Sequence, residues 1–270
     1  MAELALAALL GASGLVYAVG LSRVWGSAGR GRLVRVPQVR IFVAGAVVLA
    51  VALQVPHGSL TAHMVQHVLL LVVAAPLLAA GAPLPTMLWA LPPALRDRAL
   101  GLWRAALRSH GRRWVVWAGG ALVVQSVVML AWHVPSVYAA AVRHDLLHVL
   151  QHASYVVTAT AFAWSVGVGS PQRHGAAVPM LFVAALPGSL LGAGLTLADA
   201  PWYDGYPSLA DQQLAGVVMW GFAGLAYVLA AACLFGLWLA GLERETPARP
   251  VEPASAENRW TSTVRTGGAP

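Results

Sequence analysis

Apolar stretches long enough to cross a lipid bilayer recur along this chain of 270 residues, and they constrain its fold more than any other feature. Crossing the hydrocarbon core takes about 20 residues of helix, and the backbone N–H and C=O groups of each segment must pair within it. Seven stretches are present, of which the second is short: 3–22, 40–56, 62–81, 114–132, 145–167, 176–198 and 212–240. Charged residues make up only 10% of the chain, against about 25% in soluble domains. The sequence therefore predicts an all-α fold, a polytopic integral membrane helical bundle with seven transmembrane helices.

The positive charge of the chain indicates how these helices are oriented. Every basic residue is an arginine, and the net charge is +7. All but one of the arginines lie after the first, third, fifth or seventh stretch, and only Arg143 lies in another loop. Because basic loops stay in the cytoplasm, we predict the N-terminus outside and the C-terminus in the cytoplasm. The basic charge is thus explained by membrane topology, and the expected partner is the lipid bilayer rather than nucleic acid.

The chain divides into a transmembrane domain, residues 1–242, and a tail, residues 243–270. The tail is rich in Pro, Ala, Glu and Thr, and we predict that it is disordered in the cytoplasm because it cannot bury a core. Residues 91–114 alternate arginine with Leu, Trp and Ala, which is typical of an amphipathic helix on the membrane surface. Cys233 is the only cysteine, so disulfides within the chain are excluded.

Histidine is concentrated on one side of the predicted bundle. Seven of the nine histidines fall at the external ends of the second to fifth stretches: His57, His63, His67, His133, His144, His148 and His152. His63 and His67 are four residues apart, as are the successive pairs in "HDLLHVLQH" (144–152). Side chains four apart on a helix share a face at about 5 to 6 Å, close enough to bind one metal ion. His144 and His152 are about 12 Å apart along a helix, so we expect His144 to be an entry position above a deeper pair.

Polar groups inside a bilayer are expensive and are therefore candidates for function. A neutral imidazole offers a ring nitrogen to copper or zinc, and Met129, four residues before His133, favours Cu(I) because a thioether is a soft ligand. The predicted ligands are His63, His67, His133, His148, His152, His144 and Met129. We find no nucleophile with a paired base and no phosphate-binding loop, so we expect a protein that is not an enzyme.

Three blocks of the sequence resemble the CtaG family of bacterial cytochrome c oxidase assembly factors, in its polytopic membrane form. They are "HMVQHVLLLVVAAPLLAAGAP" (63–83), "AWHVPSVYAAAVRHDLLHVLQHASYVVTATAFAW" (131–164) and "DQQLAGVVMWG" (211–221). The resemblance implies a multi-pass protein of the bacterial plasma membrane that helps copper reach the CuB site of a haem-copper oxidase. The implied partners are subunit I of that oxidase and copper donors. By motif position, the family's polar residues correspond to His63, His67, His133, His148, His152, Asp211, Gln212 and Gln213.

Two other functions are compatible with the histidines. In a b-type cytochrome, two of them on facing helices, such as His67 and His148, would be axial ligands of haem. A copper permease would need a polar path to the cytoplasm, whereas the inner halves of the stretches contain little beyond Gln125, Ser126 and Thr158. We therefore expect a copper site that is open on one side.

Overall fold

The computed structural model describes residues 2–167 and 171–245, and 85% of these residues are helical with none in a strand. The all-α prediction is confirmed. The predicted tail lies outside the described residues from residue 246 onward. The last helix ends at Glu245, three residues beyond the predicted domain boundary.

The first half of the described chain contains seven helices and one π-helical segment. They are α1 (Ala2–Ala28), α2 (Val36–Ala52), α3 (Leu60–Val68), the π segment Leu69–Ala74, α4 (Ala75–Ala80), α5 (Pro83–Leu88), α6 (Pro93–Arg112) and α7 (Trp114–Trp132). The rest of the described chain continues with α8 (Pro135–Arg143), α9 (Asp145–Gly167), α10 (Pro171–Leu197), α11 (Leu209–Val217), the π segment Val218–Phe222 and α12 (Ala223–Glu245).

Four of the described helical segments are long and apolar enough to cross a membrane: Leu60–Ala80, Trp114–Trp132, Arg173–Leu197 and Leu209–Arg244. The apolar α2 is shorter, with 17 residues. Helix α9 is long enough, with 23 residues, but the polar side chains that it carries lower its mean hydropathy. The fold is thus that of a membrane protein, while the count of seven spans and their orientation stay predictions.

Two of the membrane helices share an interrupted architecture. Each begins with a serine that accepts a hydrogen bond from a backbone N–H of the first turn: Ser59 from Ala62 at 3.1 Å, and Ser208 from Asp211 at 3.3 Å. After nine α-helical residues each helix widens into a π segment. The first π segment precedes Pro76, whose ring would clash with the carbonyl four residues earlier in a regular helix. Such π segments often occur at functional sites.

Glycine allows close contact between α10 and α11. A Cβ atom at Gly216 would collide with the carbonyl oxygen of Gly192 and with Thr196, and one at Gly192 would lie 2.8 Å from the carbonyl oxygen of Gly216. Small residues at such crossings let membrane helices approach until their backbones touch. This contact fixes α11, which supports the site described below.

The buried apolar residues form separate clusters along the bundle. One surrounds the histidine-rich end and includes Leu60, Met64, Met129, Tyr138, Tyr155, Leu195, Tyr203 and Tyr206. Another packs the opposite ends of α7, α9 and α10 against α12 and includes Trp114, Ala118, Phe162, Val166, Ala177, Leu181, Ala184 and Ala231. The histidine-rich end is therefore lined with tyrosine, and the other end is filled with aliphatic and aromatic side chains.

Candidate metal centre

Helix α3 contributes two histidines to the site. His63 and His67 are one turn apart and are buried, with 0% and 1% of their surfaces exposed. Their rings lie 4.4 Å apart, centroid to centroid. The shared helical face that the spacing predicted is thus present in the structure.

Asp211 fixes the start of α3. Its carboxylate accepts hydrogen bonds from the backbone N–H groups of Leu60 (2.6 Å) and Thr61 (3.2 Å), and from the hydroxyl of Thr61 (2.6 Å). These N–H groups are among those that a helix start leaves without partners, and a negative charge there is favoured by the helix dipole. Asp211 belongs to α11, so it ties that helix to α3.

Helix α9 contributes His148, which is half-buried, and His152, which is 3% exposed. Their ring centroids are 4.3 Å apart, and the ring of His152 lies 5.4 Å from that of His67 on α3. His148 in turn lies 5.3 Å from His63 between ring centroids, so the histidine pairs of α3 and α9 face each other.

Two histidines from outside α3 and α9 complete the set. His57, in the segment before α3, lies 4.6 Å from His148 and 5.2 Å from His63 between ring centroids. His133, at the end of α7, lies 5.6 Å from His67. We call the six residues the histidine cluster: His57, His63, His67, His133, His148 and His152.

Two subsets of the cluster have the geometry of a metal site. In each subset, one ring nitrogen per residue lies within 4.8 Å of the others. The outer group is His57, His148 and His152, and the inner group is His63, His67 and His152. Exposure decreases from His57, which is exposed, to the inner group, in which all three residues are buried. The cluster therefore extends from the protein surface into the bundle.

Hydrogen bonds determine which nitrogen each ring leaves free. His133 contacts the carbonyl oxygen of Met129 through Nδ1 at 2.7 Å. A carbonyl only accepts, so Nδ1 carries the proton and the lone pair remains on Nε2. In the same way His57 donates from Nε2 to the side-chain oxygen of Gln66 at 2.9 Å, which leaves its lone pair on Nδ1.

A chain of tyrosines orients His63. Nδ1 of His63 lies 2.9 Å from the hydroxyl of Tyr138, which also contacts Tyr206. Tyr206 donates to the carbonyl oxygen of His57 at 3.2 Å. Burial raises the pKa of Tyr206, so its phenol stays protonated and this donation persists. The chain is satisfied when Tyr138 donates to Tyr206 and His63 donates from Nδ1 to Tyr138, which leaves Nε2 of His63 free to bind a metal.

The free nitrogens are buried and have no hydrogen-bond partner among the described residues. They are Nε2 of His63, both ring nitrogens of His67, and Nε2 of His133, His148 and His152. Leaving one buried polar group without a partner costs about 1–3 kcal/mol. Several such nitrogens in contacting rings are therefore available to hold a metal ion.

Two further predicted ligands, His144 and Met129, differ in their surroundings. His144 is exposed, has extended backbone angles (φ −122°, ψ 108°), and separates α8 from α9. It therefore lies before the helix that carries His148 and His152, and it belongs to neither group. Met129 is buried on α7, one turn before His133.

A cavity of about 50 Å³ lies beside the cluster. His67, Met129 and His133 line it together with Gln125, which lies on α7 two turns before His133. Gln125 donates to the hydroxyl of Tyr227 at 3.3 Å, and its side-chain oxygen has no partner among the described residues. The rest of the lining is mostly apolar, and a space of this size has room for water beside these polar groups.

The block "DQQ" has a supporting role that sequence reasoning did not identify. Asp211 caps α3, as described above. Gln212 is fully buried, accepts from the backbone N–H of Trp202 at 2.6 Å and donates to the carbonyl of Ala200 at 3.3 Å. Gln213 donates to the carbonyl of Ala198 at 3.3 Å. The two glutamines hold the loop that brings Tyr203 and Tyr206 to the cluster.

Sequence reasoning placed His57 among the external histidines but not among the ligands. The sequence offered one indication, since "HGS" (57–59) lies directly before the α3 histidines. Tyr138, Tyr206 and Gln66, which contact cluster histidines, were also missed. Tyrosines are common at membrane interfaces, so their identity alone did not indicate this role.

The profile of the family described as cytochrome c oxidase caa3 assembly factor (Caa3_CtaG) matches residues 15–240. No curated protein and no solved structure matches the chain. The match covers most of the sequence, including every residue of the histidine cluster. The chain belongs to this family of cytochrome c oxidase assembly factors.

Proposed function

We propose that this member of the caa3 assembly factor family binds Cu(I) in the histidine cluster and passes it to the oxidase during assembly. The observation that carries the proposal is the convergence of buried, unpartnered ring nitrogens from α3, α7 and α9. In the orientation that the arginines predict, the exposed end of the cluster faces outside. The protein acts by binding and transfer and is not an enzyme.

The charge of the site favours a monovalent ion. The ligands are neutral imidazoles, and the nearby carboxylate of Asp211 is already engaged by three donors. The desolvation penalty of an ion grows with the square of its charge, so a divalent ion would lose about four times as much as Cu(I). Imidazole and thioether ligands suit Cu(I), whereas structural zinc sites usually include cysteine.

The geometry favours a bare ion over haem. Rings of the cluster pack against one another with centroids 4.3 to 5.6 Å apart in the α3, α7 and α9 contacts. The adjoining cavity is about 50 Å³, whereas pockets for organic ligands measure roughly 300–1,000 Å³. Haem would therefore require the helices to separate.

A one-sided site is also favoured over a permease. Beyond Gln125 and Tyr227, the bundle is filled by the cluster of buried apolar residues around Trp114, Phe162 and Leu181. An ion would have to cross this region without ligands, at a large desolvation cost. Release toward the side of entry, where an oxidase subunit can dock, avoids that barrier.

Within this proposal His63, His67, His148 and His152 are the main ligands. His133 and Met129 stand at the inner end of the cluster and assist. His144 lies on the surface, where it captures copper from a donor.

The test is metal analysis of protein purified without oxygen and loaded with Cu(I). We expect about one copper per chain, no Soret band and no retention of Zn(II) in an equimolar competition. His67→Ala combined with His152→Ala should abolish binding, and His144→Ala serves as a matched control because it removes an exposed imidazole. In cells lacking the protein, the wild type should restore copper in the oxidase and the double variant should not. A haem spectrum, or full copper loading of the double variant, would contradict the proposal.

A further inference from the structure

The outer and inner groups of the histidine cluster share one residue, and this overlap has a mechanistic meaning. His152 lies between them, with its ring centroid 4.3 Å from that of His148 in the outer group and 5.4 Å from that of His67 in the inner group. A neutral imidazole has a single lone pair for a metal. His152 can therefore complete one group or the other, but not both at once.

We propose that the cluster holds one Cu(I) ion at a time in two alternative positions, an outer loading position and an inner holding position, and that the ion moves between them while bound to His152. This inference rests on the proposed function and specifies how the same site works. During the move the ion exchanges the nitrogens of His57 and His148 for those of His63 and His67. No electron or proton is transferred, and the coordination number can stay at three.

Both positions are close to the geometry that a metal requires. Metal–nitrogen bonds of about 2.0–2.1 Å place three trigonal ligands about 3.5 Å apart. The candidate nitrogens in each group already lie within 4.8 Å of one another. Small ring rotations are therefore sufficient in either group, and neither requires a helix to move.

The environments of the two positions differ in a way that assigns their roles. His57 is exposed and is held by one hydrogen bond to Gln66, so it can meet a donor at the surface. His63 and His67 are buried completely or nearly so. An ion in the inner position is shielded from competing ligands in water, so its release should be slower.

Single occupancy also follows from charge. Two copper ions in adjacent groups would be only a few ångströms apart in a region of low dielectric, where like charges repel strongly. Among the described residues, Asp211 is used as a helix cap. Asp145, whose charge acts on His148, lies at the exposed start of α9, where it offsets only part of that repulsion. The loaded protein should therefore carry one ion.

The experiment measures loading and release separately in purified full-length protein. Cu(I) is supplied from a chromogenic Cu(I) chelator without oxygen, and its release is followed after adding an excess of the same chelator. The variants are His57→Ala for the outer position, His67→Ala for the inner position and His152→Ala for both. His67 is chosen because its ring nitrogens have no hydrogen-bond partner among the described residues, so its loss breaks no hydrogen bond. His174→Ala is the matched control because it removes a histidine at the start of α10, at the opposite end of the bundle. Size-exclusion chromatography checks that each variant is folded.

The two-position arrangement predicts a distinct result for each variant. His57→Ala should load and release copper more slowly by the same factor and keep one copper per chain, because the inner position, and with it the affinity, is unchanged. His67→Ala should load at the wild-type rate and release copper faster. Each change should be on the order of ten-fold or more, the scale seen when even a partner of a metal ligand is removed. His152→Ala should retain no copper.

Other outcomes would overturn the inference. Equal loss of retention in His57→Ala and His67→Ala would indicate a single site, and two copper ions per wild-type chain would exclude alternating occupancy. Either result would leave the proposed copper function standing. Absence of binding in the wild type would instead refute the proposed function, and the two-position arrangement with it.

Discussion

Replacement of His67 by phenylalanine should separate the stability of the protein from its function. His67 is 1% exposed, and neither of its ring nitrogens has a hydrogen-bond partner among the described residues. In the metal-free protein this imidazole is a buried polar group without compensation. His67→Phe removes that polar group and retains an aromatic ring, and the adjoining cavity of about 50 Å³ can accept the slightly larger side chain.

The expected gain can be estimated from the hydrogen bonds that are missing. An unsatisfied buried polar group costs about 1–3 kcal/mol. A change of 1 kcal/mol shifts the melting temperature of a chain of 150–250 residues by roughly 2–4 °C. The metal-free variant should therefore melt roughly 2–12 °C above the metal-free wild type.

The assay is thermal unfolding in detergent, followed by tryptophan fluorescence, with and without one equivalent of Cu(I). Copper should raise the melting temperature of the wild type, because a ligand that binds only the folded state stabilises it. It should raise the melting temperature of His67→Phe by less, because the inner position is lost. If the variant melts clearly below the metal-free wild type, the imidazole of His67 stabilises the fold. If copper raises the melting temperature of the variant as much as that of the wild type, His67 is not a ligand. Either result would refute the reasoning.

Further predictions concern the residues that support the ligands and the topology. Tyr138→Phe removes the hydroxyl beside Nδ1 of His63 and should weaken Cu(I) affinity about 10- to 100-fold. Tyr227→Phe leaves the cluster contacts unchanged and should keep the wild-type affinity. Competition with a Cu(I) chelator measures the affinity of both variants. Asp211→Ala removes the cap of α3, so it should lower the free energy of unfolding by about 0.5–2 kcal/mol and impair copper retention. Asp204→Ala, at an exposed loop position, is the control and should match the wild type in thermal melts and copper assays. A reporter fused to the C-terminus should be active in the cytoplasm, and activity only outside the cell would invert the proposed orientation of the cluster.

The parts of the site that could be predicted from sequence are those set by local geometry. Residues four apart on a helix share a face, so the pairs His63–His67 and His148–His152 followed from spacing alone. The all-α fold followed from apolar length, because a helix satisfies its own backbone in lipid. Both inferences require no knowledge of how the helices pack.

The parts that could not be predicted depend on tertiary contacts or on a local break. His57 reaches the cluster only because the segment before α3 folds back over α9, and spacing carries no information on that fold. His144 continues the four-residue spacing, but the chain is extended there and α9 begins only at Asp145. The partners of Asp211 lie about 150 positions earlier in the chain. A regular spacing therefore predicts a common helical face only where the helix is continuous.

The Asp211 cap also imposes an order of events during biosynthesis. The helix that carries His63 and His67 leaves the ribosome early, but the carboxylate that completes its first turn arrives with the last membrane helix. Tyr206, which donates to the backbone of His57, and Tyr203, which donates to the backbone of His133 at 3.0 Å, arrive just before it. A partly synthesised or truncated chain thus contains all six histidines of the cluster without the contacts that hold them in place. If the cluster binds copper as proposed, capture of the metal is expected only after the whole chain has been inserted.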